Sequence, residues 1–109
     1  MKDAAAGRVA GLSLAAKDSA LGELARLFLP RGFFSPVSTG TRYVTLGGMV
    51  ASDIHGKNHH SHGTFARTVL ALRMRVADGR VLEVSRTAHP ALFHATFGGM
   101  GLTGHVLEV

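Results

Sequence analysis

The stretch of residues 40–63 constrains this chain more than any other segment, because it combines glycine, small side chains and histidine. A β-prone run at residues 43–46 leads directly into Gly47 and Gly48, and small residues follow as far as Asp53. Glycines allow positive φ angles and a close approach of the backbone to a ligand. Successive N–H groups in such a turn form a concave nest that binds anions such as a pyrophosphate. We therefore interpret this segment as a loop that holds a phosphorylated cofactor by its backbone.

The glycine spacing alone does not match a standard nucleotide-binding motif. Residues 46–51 follow a predicted strand, but they lack the Gly-x-Gly-x-x-Gly spacing of a dinucleotide-binding fingerprint. The chain also lacks the Gly-x-Ser-x-Gly elbow of a serine nucleophile and the Gly-x-x-x-x-Gly-Lys-Ser/Thr phosphate loop. The nest interpretation therefore depends on composition and local conformation.

The same stretch is rich in histidine, which raises a second hypothesis. One carboxylate and four imidazoles lie close together in the sequence: Asp53, His55, His59, His60 and His62. Such donors bind zinc, copper or nickel, and Asp53 with His55 could also form an acid–base pair. Gly56 and Gly63 disfavour the regular helix that would align these histidines, so we assign no metal site and favour a polar loop. The alternative function is a non-enzymatic module that binds a metal or an anionic partner through this loop.

Composition narrows the class of protein. At 109 residues the chain is one domain at most, and the lack of cysteine excludes disulfides, iron–sulfur clusters and thiolate zinc sites. The net charge of +5 comes from scattered Lys and Arg without aromatic platforms, so no nucleic-acid partner is expected. No apolar run approaches the roughly 20 residues of a membrane span, and the N-terminus does not have the pattern of a signal peptide. We expect a cytoplasmic protein, with the periplasmic face of a membrane as the alternative location.

The first half of the chain predicts a strand followed by an amphipathic helix. Residues 1–7 carry no pattern and are expected to be a disordered start, and residues 8–16 alternate as a strand does. A helix is predicted over residues 20–29, after a cap at Asp18 or Ser19 and before Pro30. Its apolar face is expected to contain Leu21, Leu24, Leu27 and Phe28.

The second half predicts a hairpin, a short helix and a final strand. Residues 68–76 and 81–85 read as two strands joined by Asp78-Gly79, a pair typical of a type I′ turn. Residues 87–97 predict a helix with a Thr87 cap and Pro90 in the first turn. A second glycine cluster at residues 98–101 then leads into a strand over residues 102–109.

Two long segments resemble one family of flavoproteins. Residues 36–60, with the run Asp-Ile-His-Gly-Lys-Asn-His-His, and residues 92–104, with Phe-Gly-Gly-Met-Gly-Leu-Thr-Gly, are similar to FAD-dependent oxidoreductases of the vanillyl-alcohol oxidase and p-cresol methylhydroxylase type. They look most like the branch of that family that contains decaprenylphosphoryl-ribose oxidase. The two segments occur in the family's order with the hairpin between them, and the likeness extends from about residue 8 to the end.

The resemblance implies a fold and a set of cofactor-binding residues. The fold would be α+β, a p-cresol-methylhydroxylase-type FAD-binding subdomain with an antiparallel sheet flanked by helices. FAD would be held non-covalently. The residues at its pyrophosphate would be Gly40, Thr45, Leu46, Gly47 and Gly48, and those towards the flavin would be Ser52, Asp53, Ile54 and His55. Val106 would contact the cofactor from the final strand. Lys57 and Asn58 are expected, with His55, nearest the redox face.

The resemblance also implies a reaction that this chain would not complete alone. The parent enzyme would oxidise a CH–OH group of a sugar or alcohol by hydride transfer to the flavin. In the nearest branch the substrate is a lipid-linked pentose, and a reductase partner would complete an epimerisation. The family's first phosphate loop and its C-terminal substrate domain, which supplies the catalytic base, have no counterpart here. We therefore assign no catalytic residue and expect a fragment truncated at both ends, with residues 8–109 forming a partial FAD-binding domain.

Overall fold

The computed structural model describes residues 2–3 and 20–109, and it confirms the α+β class. Short helices pack against a three-stranded antiparallel sheet, in which the strand Ala71–Arg75 lies between the strands Val81–Ser85 and His105–Glu108. The predicted strand at residues 8–16 and the predicted caps Asp18 and Ser19 lie outside the described residues. The elements are β1 (Lys2–Asp3), α1 (Leu21–Phe28), β2 (Phe33–Phe34), α2 (Leu46–Ser52), α3 (His59–His62), β3 (Ala71–Arg75), β4 (Val81–Ser85), α4 (Pro90–Thr96) and β5 (His105–Glu108).

The first helix forms where the apolar periodicity predicts it. Leu21 and Leu24 are buried, whereas Leu27 is 55% exposed, so its place on the buried face was predicted wrongly. A single 3-10 turn at Leu29–Arg31 contains Pro30 and ends the helix. Beyond it, β2 pairs antiparallel with β1.

The central segment differs most from the sequence prediction, because residues 43–46 do not form a strand. Thr45 has extended dihedral angles, and its Oγ1 accepts a hydrogen bond from the N–H of Gly48 at 3.1 Å. This is an N-cap, and α2 begins at the next residue. Leu46, Met49 and Val50 then lie on one face at helical spacing and are all buried. Gly47 and Gly48 consequently lie in the first turn of a helix, so the prediction of a strand followed by a loop was wrong, and their contact with a cofactor remains a prediction.

Replacing Thr45 with alanine is expected to lower the free energy of unfolding by about 1 kcal/mol, because the N-cap hydrogen bond to Gly48 is lost. Urea unfolding followed by circular dichroism measures the change. Thr45→Ser keeps the hydroxyl and serves as the control, with a smaller expected loss. Equal losses in the two variants would contradict a capping role for Thr45.

The histidine-rich segment contains one helical turn, α3, which was not predicted, but His55 lies outside it, so no regular helix aligns all four histidines. Gly56 and Gly63 bracket α3 and do not break it, since the N–H of Gly63 donates to the carbonyl of His59 at 2.8 Å. A 3-10 turn, Phe65–Thr68, follows and buries Phe65. Two short helical turns thus connect α2 to the sheet.

The predicted hairpin is confirmed, although its turn type was predicted wrongly. Leu72 and Met74 on β3 and Val84 on β4 are buried on one face of the sheet. In the turn Gly79 has φ 89°, whereas Asp78 does not have the positive φ that a type I′ turn requires. The N–H of Gly79 donates to the carbonyl of Val76, and the N–H of Val76 donates to the carbonyl of Arg80. This pattern fits a three-residue loop, residues 77–79, with a left-handed glycine. The pKa of the Asp78 carboxyl is lowered by two hydrogen bonds from Arg80, of which the one from the backbone N–H has the larger effect and the one from the guanidinium the smaller.

The last helix packs on the sheet through Phe93 and Thr96, which are buried. Its predicted cap at Thr87 is wrong: His89, with φ 50° and no side-chain capping bond, precedes Pro90. One hydrophobic core unites the elements and contains Leu21, Leu24, Leu46, Met49, Val50, Phe65, Val69, Leu72, Met74, Val84 and Phe93. Among the described residues, none of the helices has the length and apolar character needed to cross a bilayer.

Candidate functional site

The end of α2 brings the predicted cofactor residues Asp53, Ile54 and His55 against a neighbouring turn. Asp53 ends the helix in the left-handed region, at φ 43°, and its N–H donates to the carbonyls of Met49 and Val50. Its carboxylate Oδ1 accepts the N–H of Ala66 at 3.0 Å. The carbonyl of Ile54 accepts the N–H of Phe65 at 2.9 Å. The Asp53 carboxylate therefore holds the backbone of the Phe65–Thr68 turn.

A second contact brings the segment after α2 against the loop that contains Gly40. Gly56 is buried, and a Cβ atom at this position would lie 2.6 Å from the carbonyl oxygen of Ser38. Asn58 Nδ2 donates to the carbonyl of Pro36 at 3.0 Å. Because only glycine permits this approach, Gly56 fixes the distance between two segments that the sequence analysis assigned to one cofactor.

Gly40 is an uncrowded position on this loop. It is exposed, and a Cβ atom there would meet no heavy atom of the described residues within 4 Å. By contrast, a Cβ at Gly48 would lie 3.3 Å from Thr45 Oγ1, inside the capped turn. The described surroundings of Gly40 therefore leave room for a ligand, whereas Gly48 is confined by its own helix.

The second glycine cluster docks on the C-terminal half of α2. The N–H of Gly98 donates to the carbonyl of Val50 at 3.1 Å, and that of Met100 donates to Ala51 at 2.9 Å. A Cβ at Gly98 would lie 3.7 Å from the Cβ of Asp53. The two glycine-containing motifs, far apart in sequence, therefore meet at the end of one helix.

The remaining predicted residues are distributed around this junction. Val106 is half-buried on β5, where it pairs with Met74, and β5 contacts α2. Ser52 is exposed on the last turn of α2. Lys57 is exposed and Asn58 is half-buried, and their predicted place near a redox face remains a prediction.

Three of the histidines, His55, His59 and His60, form an exposed group with edge-to-face ring contacts. The rings of His55 and His59 are T-shaped at 5.2 Å between centroids, and those of His59 and His60 at 4.8 Å. His59 Nδ1 lies 3.2 Å from the carbonyl oxygen of Gly56. Within residues 2–3 and 20–109, no group of three or more His, Cys, Asp or Glu side chains is placed to hold a metal ion.

Ala66 and Arg86 also take part in this site, although neither was predicted to do so. Ala66 donates its N–H to Asp53, and its carbonyl accepts a hydrogen bond from Arg86 Nη2 at 2.6 Å. An alanine in a polar loop carries no sequence signal for such a role, because the backbone makes both contacts. The site thus includes one peptide segment that only the fold reveals.

Comparison with known proteins finds similar sequences over most of this chain. The sequence profile of a family described as FAD binding domain matches residues 19–85. An uncharacterized protein in the mprA 5' region of Streptomyces coelicolor is 53% identical over 87 residues, and decaprenylphosphoryl-beta-D-ribose oxidase of Mycolicibacterium smegmatis is 45% identical over 89 residues. These matches cover 80% and 81% of this chain but only 23% and 19% of the relatives. L-gulonolactone oxidase of Mus musculus is 38% identical over 66 residues, which are 61% of this chain and 15% of that protein.

Proposed function

The chain belongs to the FAD binding domain family, and from this premise we propose that it holds FAD non-covalently as part of a flavin-dependent oxidoreductase. The observation that carries the proposal is the family match over residues 19–85, which includes every candidate cofactor residue except Val106. We further propose residues 8–109 as part of one FAD-binding domain of a cytoplasmic enzyme.

The backbone of the described residues and the open space beside Gly40 fit such a cofactor. Gly40 is an exposed position on the loop that Gly56 and Asn58 hold in place. The Asp53 carboxylate bonds to the N–H of Ala66, so its negative charge is partly offset by a donor. A net charge of +5 also favours an anionic ligand such as a dinucleotide.

The proposed reaction is oxidation of a CH–OH group of a sugar or alcohol. FAD, when bound, supplies the hydride acceptor, and the protein contributes binding, orientation and electrostatics. Two relatives are named as oxidases of a decaprenylphosphoryl ribose and of a gulonolactone, which supports a sugar-derived substrate. A lipid-linked pentose is the narrower candidate, with a reductase as the partner that completes an epimerisation. The catalytic base is expected outside this chain, so its residues orient the cofactor only.

Gly40→Ala tests the cofactor assignment, because the added methyl group would contact no atom of the residues that the structure describes. We expect unchanged thermal stability but about tenfold weaker FAD binding, or about 1.4 kcal/mol. Titration of FAD against the chain, followed by flavin fluorescence, measures the affinity. The expected result for the unmodified chain is saturable binding.

Gly79→Asn is the matched control, since Gly79 lies in the remote hairpin turn and asparagine tolerates positive φ. It is expected to leave FAD affinity unchanged. Equal affinity in Gly40→Ala and the unmodified chain would remove Gly40 from the cofactor site. Lack of FAD binding by the chain and also by a longer protein with its flanking sequence would overturn the proposed function.

A further inference from the structure

An open cavity of about 550 Å³ lies between the Phe65–Thr68 turn and the end of β4. Its lining consists of Arg67, Leu70, Ser85, Arg86 and Thr87. None of these residues is a predicted cofactor residue, and Arg86 is the one that also contacts the candidate site, through the carbonyl of Ala66. We propose that this cavity is a separate binding site for a small phosphate-bearing anion.

Arg86 supplies a fixed positive charge in the cavity wall. Its Nη1 donates to the carbonyl of Val69 at 2.7 Å, and its Nη2 donates to the carbonyl of Ala66 at 2.6 Å. Its Cζ lies 5.2 Å from the ring centroid of Phe93, which is fully buried. These partners are uncharged, so they orient the guanidinium without neutralising it. A guanidinium has five N–H donors, which leaves donors for a ligand.

Arg67 supplies the second positive charge. It lies on the Phe65–Thr68 turn, and its aliphatic stem packs beside Gly63. In the part of the chain that the structure describes, the ion pairs join Arg73 to Glu108 and Arg80 to Asp78. Neither pair involves the arginines of the cavity. Two guanidinium groups without a carboxylate partner among the described residues therefore border one cavity.

Two hydroxyl groups complete the polar wall. Ser85 Oγ accepts the N–H groups of Thr87 at 3.3 Å and Ala88 at 3.1 Å, and it lies 3.3 Å from Thr87 Oγ1. Because the Ser85 oxygen accepts two backbone donors, its own hydrogen is directed to Thr87 or to a ligand. Residues 85–88 are thus held as a tight turn that keeps both hydroxyls at the cavity.

This combination fits phosphate better than a carboxylate. A phosphate monoester brings three acceptor oxygens and a charge near −2, which matches two guanidinium groups with additional hydroxyl donors. The volume exceeds what one phosphate needs, and Leu70, which is 46% exposed, offers an apolar surface to an organic substituent. The site therefore suits either free phosphate or a phosphate ester, and a titration distinguishes the two.

The test is a titration of the full chain with inorganic phosphate and, separately, with phenyl phosphate, at constant ionic strength in sodium chloride. Residue-resolved ¹H–¹⁵N NMR is expected to show saturable shifts at the backbone amides of Ser85 and Thr87. Arg67→Gln is expected to raise the phosphate Kd about tenfold, because one charge-assisted contact is lost. Arg75→Gln, which removes an exposed arginine of β3 outside the cavity, is the control with an expected change below about twofold.

Each outcome decides the proposal. Tighter binding of phenyl phosphate would assign the site to phosphate esters, and equal binding would assign it to the phosphate group alone. Saturable shifts confined to residues 40–48, or equal weakening by Arg67→Gln and Arg75→Gln, would overturn the proposal. A lack of saturable shifts would also overturn it. Arg86→Lys keeps the charge but removes the planar fork, so binding should weaken there as well.

Discussion

Replacing Gly56 with alanine is expected to destabilise the chain by about 1–3 kcal/mol, the usual cost of forcing extra volume into a packed site. The new Cβ would lie 2.6 Å from the carbonyl oxygen of Ser38 and 3.0 Å from Asn58 Oδ1. Because the first contact is with backbone, the segments must move apart and cannot relax by a rotamer change. Urea unfolding measures the loss as a lower midpoint at unchanged slope.

Gly40→Ala provides the matched control for Gly56→Ala. Both glycines belong to the same pair of segments, but only Gly56 is confined, since a Cβ at Gly40 would meet nothing within 4 Å among residues 2–3 and 20–109. A change below about 0.5 kcal/mol is expected for Gly40→Ala, as for most surface substitutions. Equal stability of Gly56→Ala and the unmodified chain would show that the two segments do not approach each other at this point.

The hairpin could be predicted from sequence because its pattern and its packing agree. Leu72 and Met74 alternate with exposed arginines, and the alternation alone places them on the buried face. The strand nevertheless begins at Ala71, and Val69 is buried where the alternation predicted Leu70. The alternation holds only where the sheet hydrogen bonds fix the pleat, so it fails in the turn before β3.

The segment at residues 43–46 shows why local propensity failed. Its β-prone residues favour a strand, but Thr45 caps a helix and Leu46 begins it. The helix is stabilised by burial of Met49 and Val50, and that burial depends on the sheet and on α4, which lie much later in the sequence. A local pattern cannot contain this information.

The candidate site was predictable as a set of motifs but not as a geometry. The family resemblance is confirmed by the family match and the relatives. No sequence pattern indicates that the N–H of Gly98 donates to the carbonyl of Val50, or that Ala66 connects Asp53 to Arg86. Those contacts are made by backbone groups, whose partners are set by the fold and not by side-chain type. The roles of individual cofactor residues remain predictions.

Replacing Phe93 with alanine is expected to cost about 3–5 kcal/mol, the largest effect of any substitution considered for this chain. The ring is fully buried and lies edge-on to Phe97 at 5.0 Å between centroids. It also lies beneath the guanidinium of Arg86. Truncation would leave a cavity between α4 and the sheet, and it would loosen the residues that precede the Gly98 contact to α2. Urea unfolding measures the loss of stability, and hydrogen exchange at Gly98 and Met100 reports the loosening.

Leu102→Ala is the control for Phe93→Ala, because this leucine follows the same helix but is 91% exposed. Its expected change in unfolding free energy is within about 0.5 kcal/mol, and Gly98 should keep its protection. If Phe93→Ala and Leu102→Ala lowered stability equally, α4 would not be packed on the sheet through Phe93. If Phe93→Ala lowered stability but left Gly98 fully protected, the second glycine cluster would be held on α2 independently of the core. In that case the junction of the two motifs would depend on its own hydrogen bonds, because the packing beneath it would have been removed without effect.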